Sequence, residues 1–295
     1  MNNYQFAYGD GTVTLPLEGC NILGELHGNK VEPIKDIRTA LWGSLDEPIG
    51  SEALCKRVKA GNTVALIVSD MSRFWMRQDL VVPHIISYLT DKCDVNQNNI
   101  TIIIANGTHP GGGENELRTL VTDGVYDRIR VVNHDCQAKD LVYIGTTSLG
   151  TEVRINPIAA NADKVIMLGA CTYHVMAGYG GGRKSILPGI SGLETIRQNH
   201  LHSLDLLAPR SNPLIGNGVT DGNPLNEDMC QAAAMVKNLF GINLVTNADM
   251  QLAHIISGDP MKAWQLACHR VDEIYKVPIV KKADVIITSC GGYPK

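Results

Sequence analysis

Three short polar motifs hold the side chains able to do chemistry in this 295-residue chain. Asp70-Met71-Ser72-Arg73 places a carboxylate, a hydroxyl and a forked cation side by side. Gly107-Thr108-His109-Pro110 sets an imidazole in a polar turn. The third runs from His174 through Gly178-Tyr179-Gly180-Gly181-Gly182-Arg183-Lys184-Ser185 and a Pro188-Gly189 turn to His200 and His202. Imidazoles titrate near neutral pH and suit proton transfer. A guanidinium grips a carboxylate or phosphate with paired N–H groups. Glycines let backbone N–H groups approach an anion, and Arg183 and Lys184 add charge there. A lysine flanked by an arginine is a candidate for a lowered pKa and a nucleophilic amine.

Spacing narrows these readings. A P-loop needs glycine directly before its Lys-Ser pair, and Arg183 stands there, so the nucleotide triphosphatase reading fails. A looser anion-cradling loop survives, beside the bland reading of a solvated surface loop. His109 and His174, both in polar turns beyond apolar runs, are the candidate acid/base pair. His134 lies in a comparable turn, and His27, His84, His254 and His269 have no companion motif and read as structural. His200 and His202 would point to different faces of a helix and make a poor chelating pair. No carboxylate–histidine cluster has zinc spacing. Either there is no metal, or a group other than the protein supplies most of its ligands. Arg73 suits a small carboxylate or phosphate, with Asp70 orienting it or forming a plain ion pair with it.

The elements that must position these motifs follow from hydrophobic periodicity. Short, nearly continuous apolar runs at 63–68, 100–105, 128–132, 164–168 and 242–246 read as buried strands. Segments 79–92, 114–121, 227–239 and 261–275 have helical spacing, and a further helix is expected from Ser51, as N-cap, to Lys59. Residues 1–30 read as a β-hairpin around Gly9-Asp10-Gly11, 141–144 with 152–155 as another, and 252–257 as a hairpin partner of 242–246. The fold class expected is α/β, a Rossmann-like, mostly parallel sheet covered on both faces. Each chemical motif follows the carboxyl end of a strand, where open α/β sheets bind ligands. Ala283–Thr288 reads as a new buried strand followed by Gly291-Gly292-Tyr293-Pro294. The expected organisation is therefore an N-terminal domain over 1–275 and the first strand of a truncated C-terminal α/β domain over 276–295.

A net charge of -4 gives no reason to expect nucleic acid or an anionic membrane as partner. The eight cysteines form no CxxC pair, which points to reduced thiols and a cytoplasmic setting. No apolar run spans a bilayer, and the N-terminus lacks a signal-peptide pattern.

Taken together, Asp70-Met71-Ser72-Arg73, Gly107-Thr108-His109, His174, Ala177-Gly178-Tyr179, Gly181-Gly182-Arg183-Lys184, Leu187-Pro188-Gly189 and Asn199-His200 resemble the nickel-dependent lactate racemase family. The resemblance covers essentially the whole chain. It implies a racemase or epimerase of 2-hydroxy acids, an isomerase whose cofactor is a nickel-pincer nucleotide (a pyridinium-3-thioamide-5-thiocarboxylic acid mononucleotide). It implies covalent attachment at Lys184, nickel ligation by His200, and cofactor contacts from Arg183, Gly181, Gly182 and Tyr179. His109 and His174 match the family's acid/base pair on opposite faces of the substrate, and Arg73, Asp70 and Ser72 match its substrate-holding region. Further active-site residues are implied beyond Lys295. Where many relatives carry a proline after Ser72-Arg73, this chain has Phe74-Trp75-Met76-Arg77, which suggests a 2-hydroxy acid larger than lactate. The implied partners are that small molecule and the proteins that make the cofactor; a chain produced without them is expected as apoprotein. Two competing readings remain at this point: a Schiff-base enzyme using Lys184 without nickel, and a non-catalytic anion- or nucleotide-binding protein.

Overall fold

A computed structural model of the chain describes residues 3–289. They fall into two compact units, one made of residues 3–28 with 276–289 and the other of 29–275. In the first unit, β1 (Asn3–Tyr8) and β2 (Gly11–Pro16) form the expected antiparallel hairpin. Its turn is closed by Gly9 at φ +55°, a conformation glycine adopts without strain. Ala283–Thr288 is not the buried strand its composition suggested. It has no strand conformation, and Val285 and Ile286 are 73% and 77% exposed. Such a run becomes a buried strand only where neighbours supply hydrogen bonds and cover, and none of the described residues pairs with it. The Gly291–Pro294 turn lies outside the described residues.

The second unit begins with α1 (Ile37–Asp46), whose N-cap Asp36 accepts from the Thr39 N–H at 3.0 Å, and α2 (Leu54–Arg57). Ser51 does not cap α2. Its hydroxyl instead accepts from Arg57 and donates to the Glu52 carbonyl, and the helix starts later, after Ala53. Next come β3 (Val64–Ser69), α3 (Val82–Ser87), β4 (Ile100–Ala105), α4 (Glu114–Val121), α5 (Asp123–Tyr126) and β5 (Arg130–Asn133). A hairpin of β6 (Val142–Thr146) and β7 (Glu152–Ile155), then α6 (Pro157–Asn161), leads to β8 (Lys164–Ala170). The two-residue strands β9 (Tyr173–His174) and β10 (Gly178–Tyr179) pair with each other ahead of α7 (Leu193–Leu201). The unit closes with β11 (Leu204–Asp205), β12 (Arg210–Ser211), α8 (Pro224–Ala234), β13 (Leu239–Thr246), β14 (Leu252–Gly258) and α9 (Pro260–Tyr275). Helix α8 begins earlier than its apolar spacing implied, because Asn223 caps it and Pro224 occupies the first turn, where its missing N–H costs nothing.

Six strands form one sheet in the order β14-β13-β8-β3-β4-β5, parallel throughout except for β14. Side chains alternate across it. Leu66 and Val68 of β3 join a core with Leu41 and Leu45 of α1 and Ile85 of α3. Ala65 and Ile67 join another with Val153 of β7 and Met229 of α8. With both faces covered, the strands need no polar residues, which is why they read as apolar runs. The chain steps from β3 to β4 to β5, then returns to the other side of β3 for β8. The direction of winding therefore switches between β3 and β8, and a crevice at the carboxyl ends of such strands is where open α/β sheets hold ligands. Because Leu66 is fully buried in that central strand, Leu66→Ala is expected to cost about 2–5 kcal/mol of stability in denaturant unfolding.

Candidate active site

The loops after β8, β3 and β4 carry all the candidate residues except His200, and these strands are neighbours in the sheet. After β3 the chain enters a 3₁₀ turn, Met71–Met76. Gln78, fully buried, holds this turn in place: its Oε1 accepts from the Ser69 N–H and its Nε2 donates to the Ser69 carbonyl. Met76 is buried in the core, with Phe74 and Trp75 packed against it. The bulk that suggested a larger substrate is thus partly buried against the core.

At the mouth of the turn Asp70 bridges two residues. Its Oδ2 lies 2.5 Å from His109 Nδ1, and its Oδ1 accepts from the Ser72 hydroxyl at 2.6 Å. Arg73 Nη1 in turn donates to Ser72 Oγ at 3.0 Å. The direct partner of Asp70 is thus His109, and it reaches Arg73 only through Ser72. A carboxylate on Nδ1–H leaves His109 Nε2 as the ring's basic nitrogen. The Gly107 N–H donates to the Gly189 carbonyl, tying the His109 turn to the turn that ends the glycine-rich loop.

The glycine-rich loop is packed, not open. Arg183 is fully buried, and its guanidinium donates to the carbonyls of Ala177, Tyr179, Gly180 and Gly181 and to Asn226 Oδ1. It also lies 3.7 Å from the centre of the Trp264 ring, a cation–π contact. Trp264 Nε1 donates to the Gly180 carbonyl. Gly181 has φ +70°, and a Cβ there would come within 3.0 Å of the Ala170 carbonyl oxygen. The Gly180 and Gly182 N–H groups donate to the Thr172 carbonyl and to Asn243 Oδ1. Arg183 and these N–H groups, expected to face an anion, are committed to the protein. Tyr179 is turned inward as well: its hydroxyl donates to Asp272, as does that of Tyr173. These residues shape the loop, and Lys184 is the cation it presents.

Lys184 Nζ sits 2.9 Å from His174 Nε2. Burial first, then the charges of Arg183 and Arg73, bring its pKa down to about 7. His174 Nδ1 accepts the N–H groups of Met176 and Ala177. Burial, then Lys184, Arg73, Arg183 and His200, lower its pKa to about 3, so it is uncharged at neutral pH. His200 Nδ1 lies 2.9 Å from the Ile196 carbonyl, to which its N–H donates, and its Nε2 has no protein hydrogen bond among the described residues. Burial lowers its pKa too. That is the usual state of a ligating histidine: one nitrogen anchored, the other with a lone pair to give.

Residues outside the candidate set, of which only Asn199 belonged to a motif quoted from the sequence, hold this arrangement. The fully buried Asp228 accepts from Thr147, Thr151 and Asn199, and Asn199 fixes α7 one residue before His200. Asn226, Asn243 and Trp264 brace the loop. Asn243, a polar residue within the apolar run of β13, was the one visible signal. His134 is structural, buried and bonded to the Ser191 carbonyl and Asn156. No group of three or more His, Cys, Asp or Glu suited to a metal occurs among the described residues. No helix among them is long and apolar enough to cross a membrane.

Residues 8–210 match the family described as Lactate racemase N-terminal domain. The chain is 30% identical to the lactate racemase of Thermoanaerobacterium thermosaccharolyticum over 300 residues, covering 100% of this chain and 68% of that protein. It is also 30% identical to that of Lactiplantibacillus plantarum, covering 97% and 66%. The chain thus spans about two thirds of the length of these curated relatives. Its fold superposes on the Thermoanaerobacterium lactate racemase apoprotein with a TM-score of 0.86 at 28% identity, covering 99% of this chain and 67% of the other. A Thermotoga maritima protein shares the fold at a TM-score of 0.60 and 20% identity.

Two outcomes follow from this geometry. Arg183→Lys cannot reach the same carbonyls and is expected to cost about 3 kcal/mol or more in denaturant unfolding, with faster amide exchange across 177–184; unchanged stability and exchange would refute the bracing role. His174 binds a proton below 6.5 when unfolded but only below about 3 when folded. Between these values the unfolded chain holds the extra proton, so stability falls as pH falls through that window. His174→Gln is expected to flatten this part of the stability profile.

Proposed function

Because the chain belongs to the lactate racemase family, and with it to the isomerases, we propose that it interconverts the enantiomers of a 2-hydroxy acid, lactate or a relative of it, using a nickel-pincer nucleotide attached at Lys184. The observation that carries this reading is the meeting of a near-neutral lysine amine with two differently held imidazoles at one sheet edge. The residues present suit such a group. Lys184 is the amine for covalent attachment, and His200 offers one free lone pair with no other protein ligand set among the described residues, which matches a metal that brings its remaining donors with it. When bound, the group supplies the acceptor for a hydride from C2 of the substrate.

The chain's own residues do the rest. Arg73 has donors left beyond its bond to Ser72 and receives the substrate carboxylate. His109, aligned by Asp70, takes the hydroxyl proton on Nε2. His174, on the β8 side, is assigned to the opposite enantiomer, its Nε2 being the nitrogen that would exchange a proton once Lys184 carries the cofactor and no longer occupies it. The buried glycine-rich loop excludes water from behind Lys184. The seven cysteines among the described residues are free thiols, with Cys171 and Cys268 in a 3.7 Å Sγ–Sγ contact and no disulfide, which is compatible with work in a reducing compartment.

The test is to produce the protein together with the cofactor-making enzymes. Intact and peptide mass measurement is expected to place an adduct on Lys184 with an equimolar amount of nickel. His200→Ala is expected to keep the adduct and lose the metal. Chiral chromatography with lactate and larger 2-hydroxy acids reads the reaction, and Arg73→Lys is expected to raise KM about tenfold or more through loss of the fork. Racemisation by protein with neither nickel nor adduct would overturn the reading.

A further inference from the structure

The contacts of His174 fix a proton count. Its Nδ1 accepts N–H groups from Met176 at 3.2 Å and Ala177 at 3.1 Å. A ring nitrogen receiving two donors carries no proton, so the neutral ring must carry its proton on Nε2. That N–H points at Lys184 Nζ, 2.9 Å away. Only a lone pair can receive it, and an ammonium has none. The alternatives both place a proton on Nδ1 against two N–H groups: an imidazolium, or an ammonium donating to the other tautomer. The charges that reach Lys184 point the same way. Arg183 from its own turn and Arg73 from the turn after β3 are cationic, and His200 on α7 feels the charge of Lys184 with no hydrogen bond between them. Among the described residues no carboxylate pairs with Lys184.

We propose that, while no cofactor is attached, His174 holds Lys184 as a neutral amine and the site condenses that amine with a 2-oxo acid. The class of compound follows from the surroundings. A neutral primary amine attacks a carbonyl carbon, and Arg73 offers a forked cation for a carboxylate next to it. In the step, the Nζ–C2 bond forms, the C2–oxygen double bond breaks, and both amine hydrogens leave with that oxygen as water, giving an imine. No oxidant or reductant is consumed. His174 is a positioning residue here: it sets the proton state of the amine. A consequence, which rests on the reading in the preceding subsection, is that a 2-oxo acid competes with the cofactor for Lys184 and slows loading.

The experiment uses the cofactor-free chain with pyruvate and cyanoborohydride, followed by peptide mass mapping. A reduced pyruvate adduct is expected on Lys184 ahead of every other lysine, and absent in Lys184→Arg. At alkaline pH, where the amine is neutral in either protein, Arg73→Gln is expected to slow the pyruvate adduct about tenfold while leaving propanal labelling of Lys184 within about twofold. Nitrogen-15 NMR at neutral pH is expected to show His174 with its proton on Nε2. His174→Gln, whose amide oxygen accepts from an ammonium, is expected to slow Lys184 labelling about tenfold at neutral pH and to recover at alkaline pH. Propanal labelling of Lys184 without any pyruvate adduct would overturn the 2-oxo acid assignment. A proton on His174 Nδ1, or a Lys184 no more reactive than surface lysines, would overturn the proton assignment. Either failure in a protein that still takes up cofactor and racemises its substrate leaves the racemase reading standing. Conversely, a pyruvate adduct in a protein that never takes up cofactor would separate the two the other way.

Discussion

The burial of the Arg183 guanidinium is the constraint on which the site rests. A full charge with no exposed surface is tolerated only when its N–H groups are met, and here backbone carbonyls, Asn226 and the face of Trp264 meet them. The acceptors come mostly from residues 177–181, so satisfying the charge also fixes the fold of the loop. The next residue is Lys184. One buried cation therefore places the lysine in space and, after burial itself, is the largest influence lowering its pKa. Geometry and electrostatics of the amine have a common source.

The sheet supplies the second constraint. Its winding reverses between β3 and β8, so the turns that follow these strands diverge to opposite faces and leave a crevice. Neighbouring β4 delivers His109 beside Asp70, and the bond between Gly107 and Gly189 closes the ring of loops. The two histidines reach this crevice under different restraints. His109 leans on a carboxylate and remains half-exposed, whereas His174 is held by backbone N–H groups next to an amine. Their hydrogen-bond partners differ in kind, so the two rings are held toward the crevice in different ways.

Much of this was legible in the residues. The apolar runs located the strands of the parallel sheet because both of its faces are covered, and polar motifs at their carboxyl ends located the crevice. What the sequence hid were choices made by tertiary contacts. Arg183 and Tyr179 belong to a motif that looks like a ligand cradle, and nothing local reveals that Asn226, Asp272 and Trp264 wait below to draw them inward. Phe74 and Trp75 looked like substrate bulk because their burial depends on the direction of a 3₁₀ turn. Ala283–Thr288 has the composition of a strand without the pairing that makes one. Asp70 and His109 are 39 residues apart, and only adjacency of β3 and β4 joins them.

At Gly169 and Gly181 the strand and the loop approach so closely that an added Cβ would meet main-chain atoms of the other segment. The lysine half of the crevice is thus dimensioned by backbone against backbone, a fit that side-chain replacement can break but not retune. The half built from Ser72, Arg73 and His109 rests on exposed or partly exposed side chains. Divergence in what such a protein accepts has room to act on that second half, while the first stays a fixed fitting around which new specificities are assembled.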